Sequence, residues 1–453
     1  MRELMKNGMD VARFNFSHSD HSVHKARFET VCKLREELGV NIATLLDTKG
    51  PEVRLKNFKD HKPVTIKDGD TFTLTTREVE GDETICSITF PQLPKDVSVG
   101  TRILINDGNI ELKALRVDNT DIVCEVIHGG VVSDHKGINV PDVNLSMPYI
   151  SDADMADLEF GAKMGFDYIA ASFVRTGADV IYLRKFTQSL GWFNPRIIAK
   201  IENAQGVANI DEILDAADGI MVARGDMGVE IPFEQIPAIQ KELIRKAYNA
   251  GKNVITATQM LESMITNARP TRAEITDVAN AIYDGSSAIM LSGETAAGKY
   301  PVEAVKTMSL NRRNDRKDID YISRFKKRAD ERNSSITDAI SHATVTTAHD
   351  LNAVAILTVT KGGTTARTLS KFRPNCPIIA LTTDDTTYHQ LSLSWGIRAG
   401  VIEEKTNTDE LIRHALERSV ELGYLKKGDL VVITAGVPLG MSGTTNLLKV
   451  ERA

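Results

Sequence analysis

The first 53 residues alternate between helix-like and strand-like patterns of apolar positions. Apolar side chains recur at helical spacing over Val23–Leu38, and Gly39 follows at the point where a helix would end. The apolar run over Asn41–Leu46 then predicts a buried strand that ends at Asp47. Strand and helix patterns alternate again from about residue 141 to 310, so the two segments together predict one α/β barrel domain.

Between residues 54 and 140 the pattern changes to short β-rich runs separated by turn residues. The runs read VTI, TFTLTT, ICSITF, RILI, IELKALRV and DIVCEVI, and the pair Asp107-Gly108 is typical of a hairpin turn. We therefore expect a small all-β domain inserted into the barrel sequence.

The last third of the chain begins with a charged segment and then returns to an α/β pattern. Residues 311–333 carry many Arg, Lys and Asp and few apolar residues, which predicts an exposed helix and linker. Residues 334–453 are predicted to form a separate α/β domain. Its expected strands and helices are Ala353–Thr358, Ala366–Lys371, Ile378–Thr382, Asp409–Leu422 and Leu430–Ala435.

Composition and charge narrow the function classes. A chain of 453 residues exceeds one ordinary hydrophobic core, so two or three domains are expected. The net charge of −6 gives no indication of nucleic-acid or membrane binding, and no apolar run approaches the roughly 18 residues of a membrane helix. The 4 scattered cysteines, without a CxxC pair, are typical of reduced thiols. We expect a cytoplasmic protein with neither a nucleic acid nor a membrane as partner.

The strongest candidates for chemistry are Lys200, Glu202 and Asp226. The apolar run Ile197–Ala199 predicts a strand that ends in Lys200 and Glu202, and the run Gly219–Ala223 predicts another that leads to Asp226. In a parallel barrel the carboxyl ends of strands share one face, where catalysis takes place. Two carboxylates beside a lysine suit a divalent metal next to an anionic, oxygen-rich substrate. The alternative is a pair of surface salt bridges at the loop starts.

Further candidates have cationic or hard-oxygen side chains. The chain has no GxxxxGK[ST] loop, which excludes an ordinary P-loop, so Arg13 and Arg54 are candidates to grip phosphate. Either arginine alone would more often be a solvated surface group. The oxygens of Asn15, Ser17, Asp47 and Thr48 lie at the ends of two neighbouring predicted strands and carry one negative charge, which suits a monovalent cation better than Mg²⁺.

Seven sequence blocks in order closely resemble the pyruvate kinase family over nearly the whole chain. The blocks are ARFNFSH at 12–18, DTKGPEVR at 47–54, KIEN at 200–203, ARGDMG at 223–228, ATQMLESM at 257–264, RPTRAEITDVANA at 269–281 and LSGET at 291–295. The resemblance implies a (β/α)₈ TIM barrel with an inserted small β-barrel domain and a C-terminal α/β effector-binding domain. By this plan the barrel covers residues 1–53 and 141–310, the insert 54–140, the linker 311–333 and the last domain 334–453.

The resemblance also implies an activity and its ligands. Family members transfer phosphate from phosphoenolpyruvate to ADP to give pyruvate and ATP, use Mg²⁺ (or Mn²⁺) and K⁺, respond to a phosphorylated effector, and are commonly homotetramers. This chain departs from the family at Met1, which lies inside the helix that follows the family's first barrel strand. A barrel lacking one strand exposes two edges, so we expect the chain as given to be weakly active.

Residue roles at the reacting centre follow from the resemblance. It implies that Arg13 binds the substrate phosphate and that Lys200 stabilises the transferring phosphoryl group. Glu202 and Asp226 are implied as magnesium ligands, with Gly225 and Asp226 beside the substrate carboxylate. Thr258 is implied to guide proton delivery to the enolate carbon, with a strand-end threonine bonded to backbone as the alternative. Ser292 and Glu294 are expected to organise a water and proton relay.

Cation and nucleotide positions follow in the same way. Asn15, Ser17, Asp47 and Thr48 match the family's potassium site, and Glu52 matches the version that requires potassium. The positions matching the nucleotide site are Asn15, His18, Arg54 and Lys136. A lone histidine such as His18 is as often structural.

The C-terminal domain carries a glycine-rich turn that opens a helix. The segment TVTKGGTT over Thr358–Thr365 is of the type that binds phosphate through backbone N–H groups. The resemblance implies a sugar-phosphate effector there, with help from the loop at Gly440–Thr445. The expected contacts are Thr360, Lys361, Gly362, Gly363, Thr364 and Thr365. The alternative is a plain tight turn.

Two other functions stay open on the sequence alone. A metal-dependent lyase that forms a pyruvate enolate would share the Glu202 and Asp226 pair, but it would not need the β insertion or the last domain. A truncated kinase subunit with little or no activity is the second alternative, because the first strand is missing.

Overall fold

The computed structural model describes residues 1–328, 335–438 and 445–453. They form a parallel barrel sheet, a mostly antiparallel β domain and a C-terminal α/β domain. The expected fold class is confirmed. No helix in the described part of the chain is long and apolar enough to cross a membrane.

The barrel sheet holds seven parallel strands in the described residues. In spatial order they are Val11–Asn15, Ala43–Asp47, Tyr168–Ala171, Arg196–Ile201, Gly219–Ala223, Asn253–Ala257 and Ala288–Ile289. They are mostly apolar because both faces of a barrel strand are covered. Every pair in this order runs parallel, so the carboxyl ends of the strands meet at one face.

Helices cover the outside of this sheet and are bounded by local capping signals. The Asp20 side chain accepts a hydrogen bond from the backbone N–H of Val23 at the start of one helix, and Gly39 ends it in the left-handed region at φ 62°. Thr271 and Glu274 form a reciprocal capping box. The helices are Arg2–Lys6, His21–Leu38, Asp152–Met164, Gly177–Ser189, Ala204–Ala208, Ile210–Ala216, Arg224–Glu230, Ile236–Asn249, Arg272–Asp284, Gly293–Ala296, Pro301–Asp318 and Tyr321–Arg328.

The β domain is built around its own core, which includes the buried side chains of Phe72, Leu74 and Leu112. Its main sheet has the strand order Val53–Arg54, Gly137–Asn139, Arg102–Ile105, Ile110–Val117, Asp121–His128, Thr71–Thr75 and Ile85–Ser87. A two-stranded sheet of Gly130–Val132 and Val64–Ile66 and the helix Leu93–Asp96 complete it.

The C-terminal domain is a five-stranded sheet with helices around it. The strand order is Ile397–Val401, Ile378–Thr382, Ala355–Val359, Leu430–Gly436 and Thr445–Arg452, with the last strand antiparallel. The helices are Ile336–Asp350, Thr364–Lys371, Asp385–Gln390 and Thr408–Glu421.

Hydrogen bonds fix the C-terminal domain against the amino ends of the barrel strands. The buried amide of Gln390 donates to the carbonyl oxygens of Asp167 (3.1 Å) and Asn194 (2.7 Å). The Arg373 guanidinium donates to the Gly285 carbonyl at 2.8 Å. The two domains therefore share a hydrogen-bonded junction at the end of the barrel opposite to the strands' carboxyl ends.

Candidate active site

Lys200 stands at the centre of a buried polar group at the carboxyl face of the barrel. Its ammonium lies 2.8 Å from Glu202 Oε1, 3.1 Å from Asp47 Oδ1 and 2.8 Å from the Ser172 hydroxyl. Burial alone would lower the pKa of Lys200, but the Asp47 and Glu202 carboxylates raise it above its ordinary value. The Lys200 side chain is therefore a buried positive charge, held in place by its three contacts.

Arg13 adds a second cation beside the same carboxylate. Its Nε donates to Asp47 Oδ2 at 2.5 Å, and the strand pairing places Arg13 two residues before Asn15, which lies opposite Asp47. Burial works to raise the pKa of Asp47, but Lys200 and Arg13 hold it below its ordinary value. The carboxylate therefore stays ionised and orients both cations.

Glu202 follows directly after the strand that carries Lys200. Its Oε2 accepts a hydrogen bond from the Phe173 backbone N–H at 2.6 Å, and its buried Oε1 pairs with the Lys200 ammonium at 2.8 Å. Burial raises the pKa of Glu202 to about 8, although Lys200 lowers it, and the Asp226 carboxylate adds to the rise. A cation between the two carboxylates would relieve this repulsion.

Asp226 lies exposed in the helix Arg224–Glu230, which starts at the end of the neighbouring barrel strand. Glu202 and Asp226 together offer two carboxylates. In the described ranges, no group of three His, Cys, Asp or Glu side chains is placed to hold a metal ion. Mg²⁺ fits such a pair because it takes one or two carboxylates and leaves the other positions to substrate and water.

Thr258 lies next to the helix that carries Asp226. Its hydroxyl accepts a hydrogen bond from the Gly225 N–H at 2.8 Å and donates to the Ala257 carbonyl at 2.7 Å. Its backbone has φ 67°, an uncommon conformation for a threonine. The structure thus joins Thr258 and Gly225 directly, and the bonding to backbone foreseen as the alternative is present.

Arg224 holds Thr258 close to the helix that carries Asp226, a role that the sequence did not indicate. Its guanidinium donates to the carbonyl oxygens of Ala257 (3.2 Å) and Thr258 (2.5 Å) and to the Asp277 carboxylate (2.6 Å). The ATQ block at 257–259 is thereby tied to the start of the helix that carries Asp226.

Ser172 and Phe173 are two further residues that the sequence reading missed. The Ser172 hydroxyl contacts Asp47, Lys200 and the Thr48 carbonyl at 3.2, 2.8 and 2.7 Å. Phe173 has φ 52°, which turns its N–H toward Glu202. The sequence could have indicated both residues, because they directly follow the apolar run that ends at Ala171.

The four expected potassium ligands lie on the two neighbouring strands or directly after them. Asn15 Oδ1 accepts from the Ser17 N–H at 3.0 Å, and the Thr48 hydroxyl accepts from the Ser172 N–H at 3.0 Å. Asp47 is shared with Arg13 and Lys200. Each oxygen can accept further contacts, so this group of residues fits a hard cation.

Arg54 and Lys136 lie next to each other at the edge of the β domain. The strand pairing places Gly137 opposite Arg54, whose Nε donates to Glu52 at 2.8 Å. His18 is exposed after the first strand, and its carbonyl oxygen accepts from the His24 ring at 2.8 Å.

Glu294 is buried and holds a loop. Its two oxygens accept from the backbone N–H groups of Leu261 (3.0 Å) and Ser292 (2.8 Å). These contacts show that Glu294 holds the start of the 257–264 block, and the relay expected for Ser292 and Glu294 stays a prediction.

Comparisons with known proteins agree with this geometry. A family model described as pyruvate kinase, barrel domain, matches residues 1–305, and one described as pyruvate kinase, alpha/beta domain, matches residues 338–451. Pyruvate kinase of Clostridium acetobutylicum is 47% identical over 449 residues, which cover 99% of this chain and 95% of that protein. This chain is a member of the pyruvate kinase family.

Two further pyruvate kinases are similar to this chain over nearly its whole length. Pyruvate kinase of Geobacillus stearothermophilus is 48% identical over 451 residues, covering 99% of this chain and 77% of that protein. A crystal structure of a pyruvate kinase from Cryptosporidium parvum has a TM-score of 0.93 and 39% identity, covering 100% of this chain and 92% of that chain. The chain is thus a phosphotransferase, and the lyase alternative has no support in these comparisons.

In this chain, the glycine-rich turn of the C-terminal domain opens the helix Thr364–Lys371. Gly363 has φ 75°, a left-handed conformation that favours glycine, and a Cβ there would lie 2.6 Å from the Arg367 guanidinium. The Thr365 hydroxyl bonds that of Thr445 at 2.7 Å. Thr360 is buried, and its N–H donates to the Leu381 carbonyl at 2.9 Å. Residues 440–444 of the second expected loop lie outside the described residues.

Proposed function

We propose that this chain transfers the phosphoryl group of phosphoenolpyruvate to ADP and releases pyruvate and ATP. The observation that supports this most directly is the buried Lys200 ammonium, held by Asp47, Glu202 and Ser172 where the barrel strands end. Phosphoryl transfer depends on positioned positive charge more than on covalent help from the protein. The comparisons give no support to the alternatives weighed from sequence, a lyase and an inactive subunit.

The reaction breaks the bond between phosphorus and the enol oxygen and forms a bond from phosphorus to a terminal oxygen of ADP. In our proposal Arg13 and Lys200 hold the transferring phosphoryl group, whose negative charge they balance. Lys200 also stabilises the enolate oxygen left behind. The enolate carbon then takes a proton, and the Thr258 hydroxyl guides its delivery while the Gly225 N–H fixes that hydroxyl.

Glu202 and Asp226 would hold Mg²⁺ or Mn²⁺. The buried Glu202 carboxylate and the exposed Asp226 carboxylate supply the hard oxygen ligands that these ions prefer. When bound, the ion offsets the negative charge of the carboxylate and phosphate oxygens of the substrate.

Asn15, Ser17, Asp47 and Thr48 would hold K⁺. The single negative charge of Asp47 and three neutral side-chain oxygens match a monovalent cation. Since Asp47 also contacts Arg13 and Lys200, the same carboxylate would link the potassium site to the phosphoryl site.

We propose that the nucleotide lies toward the β domain, with Asn15, His18, Arg54 and Lys136 as contacts. The loop of residues 360–365 is proposed to bind a phosphorylated effector, because its backbone N–H groups open a helix at Gly363. We also propose a cytoplasmic homotetramer; 4 free cysteines are typical of a reducing compartment.

The test is a ³¹P NMR assay of the purified chain with phosphoenolpyruvate, ADP, Mg²⁺ and K⁺. We expect loss of the enol phosphate signal and matching growth of the ATP signals, only when both substrates are present. Consumption of phosphoenolpyruvate without ATP formation would contradict the proposed reaction.

A further inference from the structure

Two segments of the chain connect the β domain to the barrel. The chain leaves the barrel after the strand Ala43–Asp47, and it returns between the strand Gly137–Asn139 and the helix Asp152–Met164. The position of the β domain relative to the barrel therefore depends on how these two crossings are held. The second crossing, residues 140–151, is the longer of the two.

The β domain holds the second crossing through three consecutive side chains. Leu145 and Met147 pack against the hydrophobic core of the β domain. Ser146 lies between them and donates its N–H and its hydroxyl to Asp96 Oδ2, at 2.8 and 3.0 Å. Asp96 is the last residue of the β-domain helix Leu93–Asp96. Residues 145–147 are thus attached to the β domain by packing and by hydrogen bonds.

Arg175 of the barrel binds the backbone of the same three residues. Its Nη1 donates to the carbonyl oxygens of Leu145 (3.1 Å) and Met147 (3.2 Å). The Asp179 carboxylate orients the guanidinium, because it accepts from Nε and Nη2 at 3.5 Å each. The Arg175 side chain is 19% exposed, so these contacts are largely shielded from water. A planar guanidinium suits this arrangement because its donors have a fixed geometry.

Arg175 also belongs to the loop that contacts the buried group around Lys200. In this loop the Ser172 hydroxyl accepts from the Lys200 ammonium at 2.8 Å, and the Phe173 N–H donates to Glu202 at 2.6 Å. The loop of residues 172–175 therefore contacts the phosphoryl site at one end and the β-domain crossing at the other.

We propose that Arg175 is a positioning residue, which sets the place of the β domain relative to the phosphoryl site by binding the backbone of residues 145–147. The inference rests on the proposed function, in which Arg54 and Lys136 at the edge of the β domain contact the nucleotide. ADP must present its terminal oxygen in line with the phosphoryl group held in the barrel. Arg175 then acts on the step that needs both domains and leaves the chemistry confined to the barrel unchanged.

The experiment compares two reactions of Arg175→Gln. Phosphoryl transfer to ADP needs both domains, whereas exchange of solvent deuterium into pyruvate, with inorganic phosphate in place of nucleotide, needs the barrel residues alone. Arg175→Lys keeps the charge but loses the planar fork. The matched control is Arg102→Gln, which removes an arginine that pairs with Glu111 inside the β domain. Asp96→Ala releases residues 145–147 from the β-domain side.

In Arg175→Gln we expect kcat/KM for ADP to fall at least about tenfold, because a displacement of about 1 Å costs on the order of 10² in rate. The KM for phosphoenolpyruvate and the rate of deuterium exchange should stay close to the parent values. Arg175→Lys should lie between the two, and Arg102→Gln should match the parent. Asp96→Ala should show the same split between the reactions, and it carries the test if the melting temperature shows that Arg175→Gln does not fold.

A kcat/KM for ADP in Arg175→Gln equal to that of the parent would overturn the proposal. An equal loss of both reactions would also overturn it, because Arg175 would then merely support the barrel. Isothermal titration calorimetry with ADP and Mg²⁺ repeats the comparison without turnover, and we expect about tenfold weaker binding to Arg175→Gln. A parent chain that binds ADP without transferring phosphate would contradict the proposed reaction, and the binding comparison would still decide the role of Arg175.

Discussion

Lys200 and Asp47 form an ion pair of 3.1 Å inside the barrel, where the lysine side chain is 10% exposed and the aspartate side chain is fully buried. Removing one member of a buried pair leaves an uncompensated charge, so such pairs are sensitive to substitution. Here Asp47 also holds Arg13, and Lys200 also contacts Glu202. The two cations proposed to act on the phosphoryl group are therefore fixed by one carboxylate.

The first prediction concerns the divalent metal. Asp226 is exposed, so Asp226→Asn is expected to leave the melting temperature unchanged while it removes one proposed ligand. The Mg²⁺ concentration for half-maximal pyruvate formation should rise at least about tenfold. Glu234→Gln, another exposed carboxylate of the same region, is the control and should behave as the parent. An unchanged magnesium titration for Asp226→Asn would exclude this ligand.

Much of this site was predictable because the relevant signals are local. Lys200 and Glu202 follow the apolar run Ile197–Ala199, and the continuous run Gly219–Ala223 marks the strand before Asp226 as the structure has it. Ser172, Phe173 and Arg224 were not predictable in the same way, since their roles depend on contacts across strands. Ser172 reaches Asp47 over a sequence separation of 125 residues, which no local pattern encodes.

The second prediction concerns potassium. Activity should fall steeply when tetramethylammonium replaces K⁺ at equal ionic strength, because the bulky ion cannot approach Asn15, Ser17, Asp47 and Thr48 together. Glu52→Lys should weaken this dependence, because it exchanges a carboxylate that pairs with Arg54 for a fixed cation. Initial rates in the two salts provide the measurement. Equal rates for the parent chain would remove the basis for a potassium site.

The third prediction uses Glu230, which lies between the barrel and the β domain. Its Oε1 is 3.5 Å from the Asn139 amide, and burial raises its pKa from 4.5 to about 7. The folded chain therefore binds this proton more tightly than the unfolded chain, and the stability that the group contributes is lost as pH rises from about 4.5 to 7. Glu230→Gln should be more stable than the parent at pH 8 by about 1 kcal/mol, with little difference at pH 4.5.

The control for this prediction is Glu234→Gln, which changes an exposed carboxylate nearby. Chemical denaturation of the parent and both variants at several pH values gives the comparison. A stability difference between parent and Glu230→Gln that is the same at every pH would show that Glu230 keeps its ordinary pKa.

The fourth prediction concerns the loop of residues 360–365. Thr364→Glu places a carboxylate at its exposed helix start, where it should repel a phosphorylated effector, and Thr364→Gln is the neutral control. In a panel of sugar phosphates and nucleotides, we expect at least one compound to lower the KM for phosphoenolpyruvate in the parent and in Thr364→Gln. Thr364→Glu should lose this response and keep its basal rate. A panel without effect on the parent would refute effector binding at the loop.

The most direct test of the central role of Lys200 compares two reactions of Lys200→Met. Phosphoryl transfer to ADP should fall by about 10³ or more, because a positive charge at the transferring group is lost. Exchange of solvent deuterium into the methyl group of pyruvate should slow far less than phosphoryl transfer, because the metal held by Glu202 and Asp226 still offsets the enolate charge and Thr258 remains. This exchange reports a folded site. Turnover of Lys200→Met close to that of the parent would contradict the account.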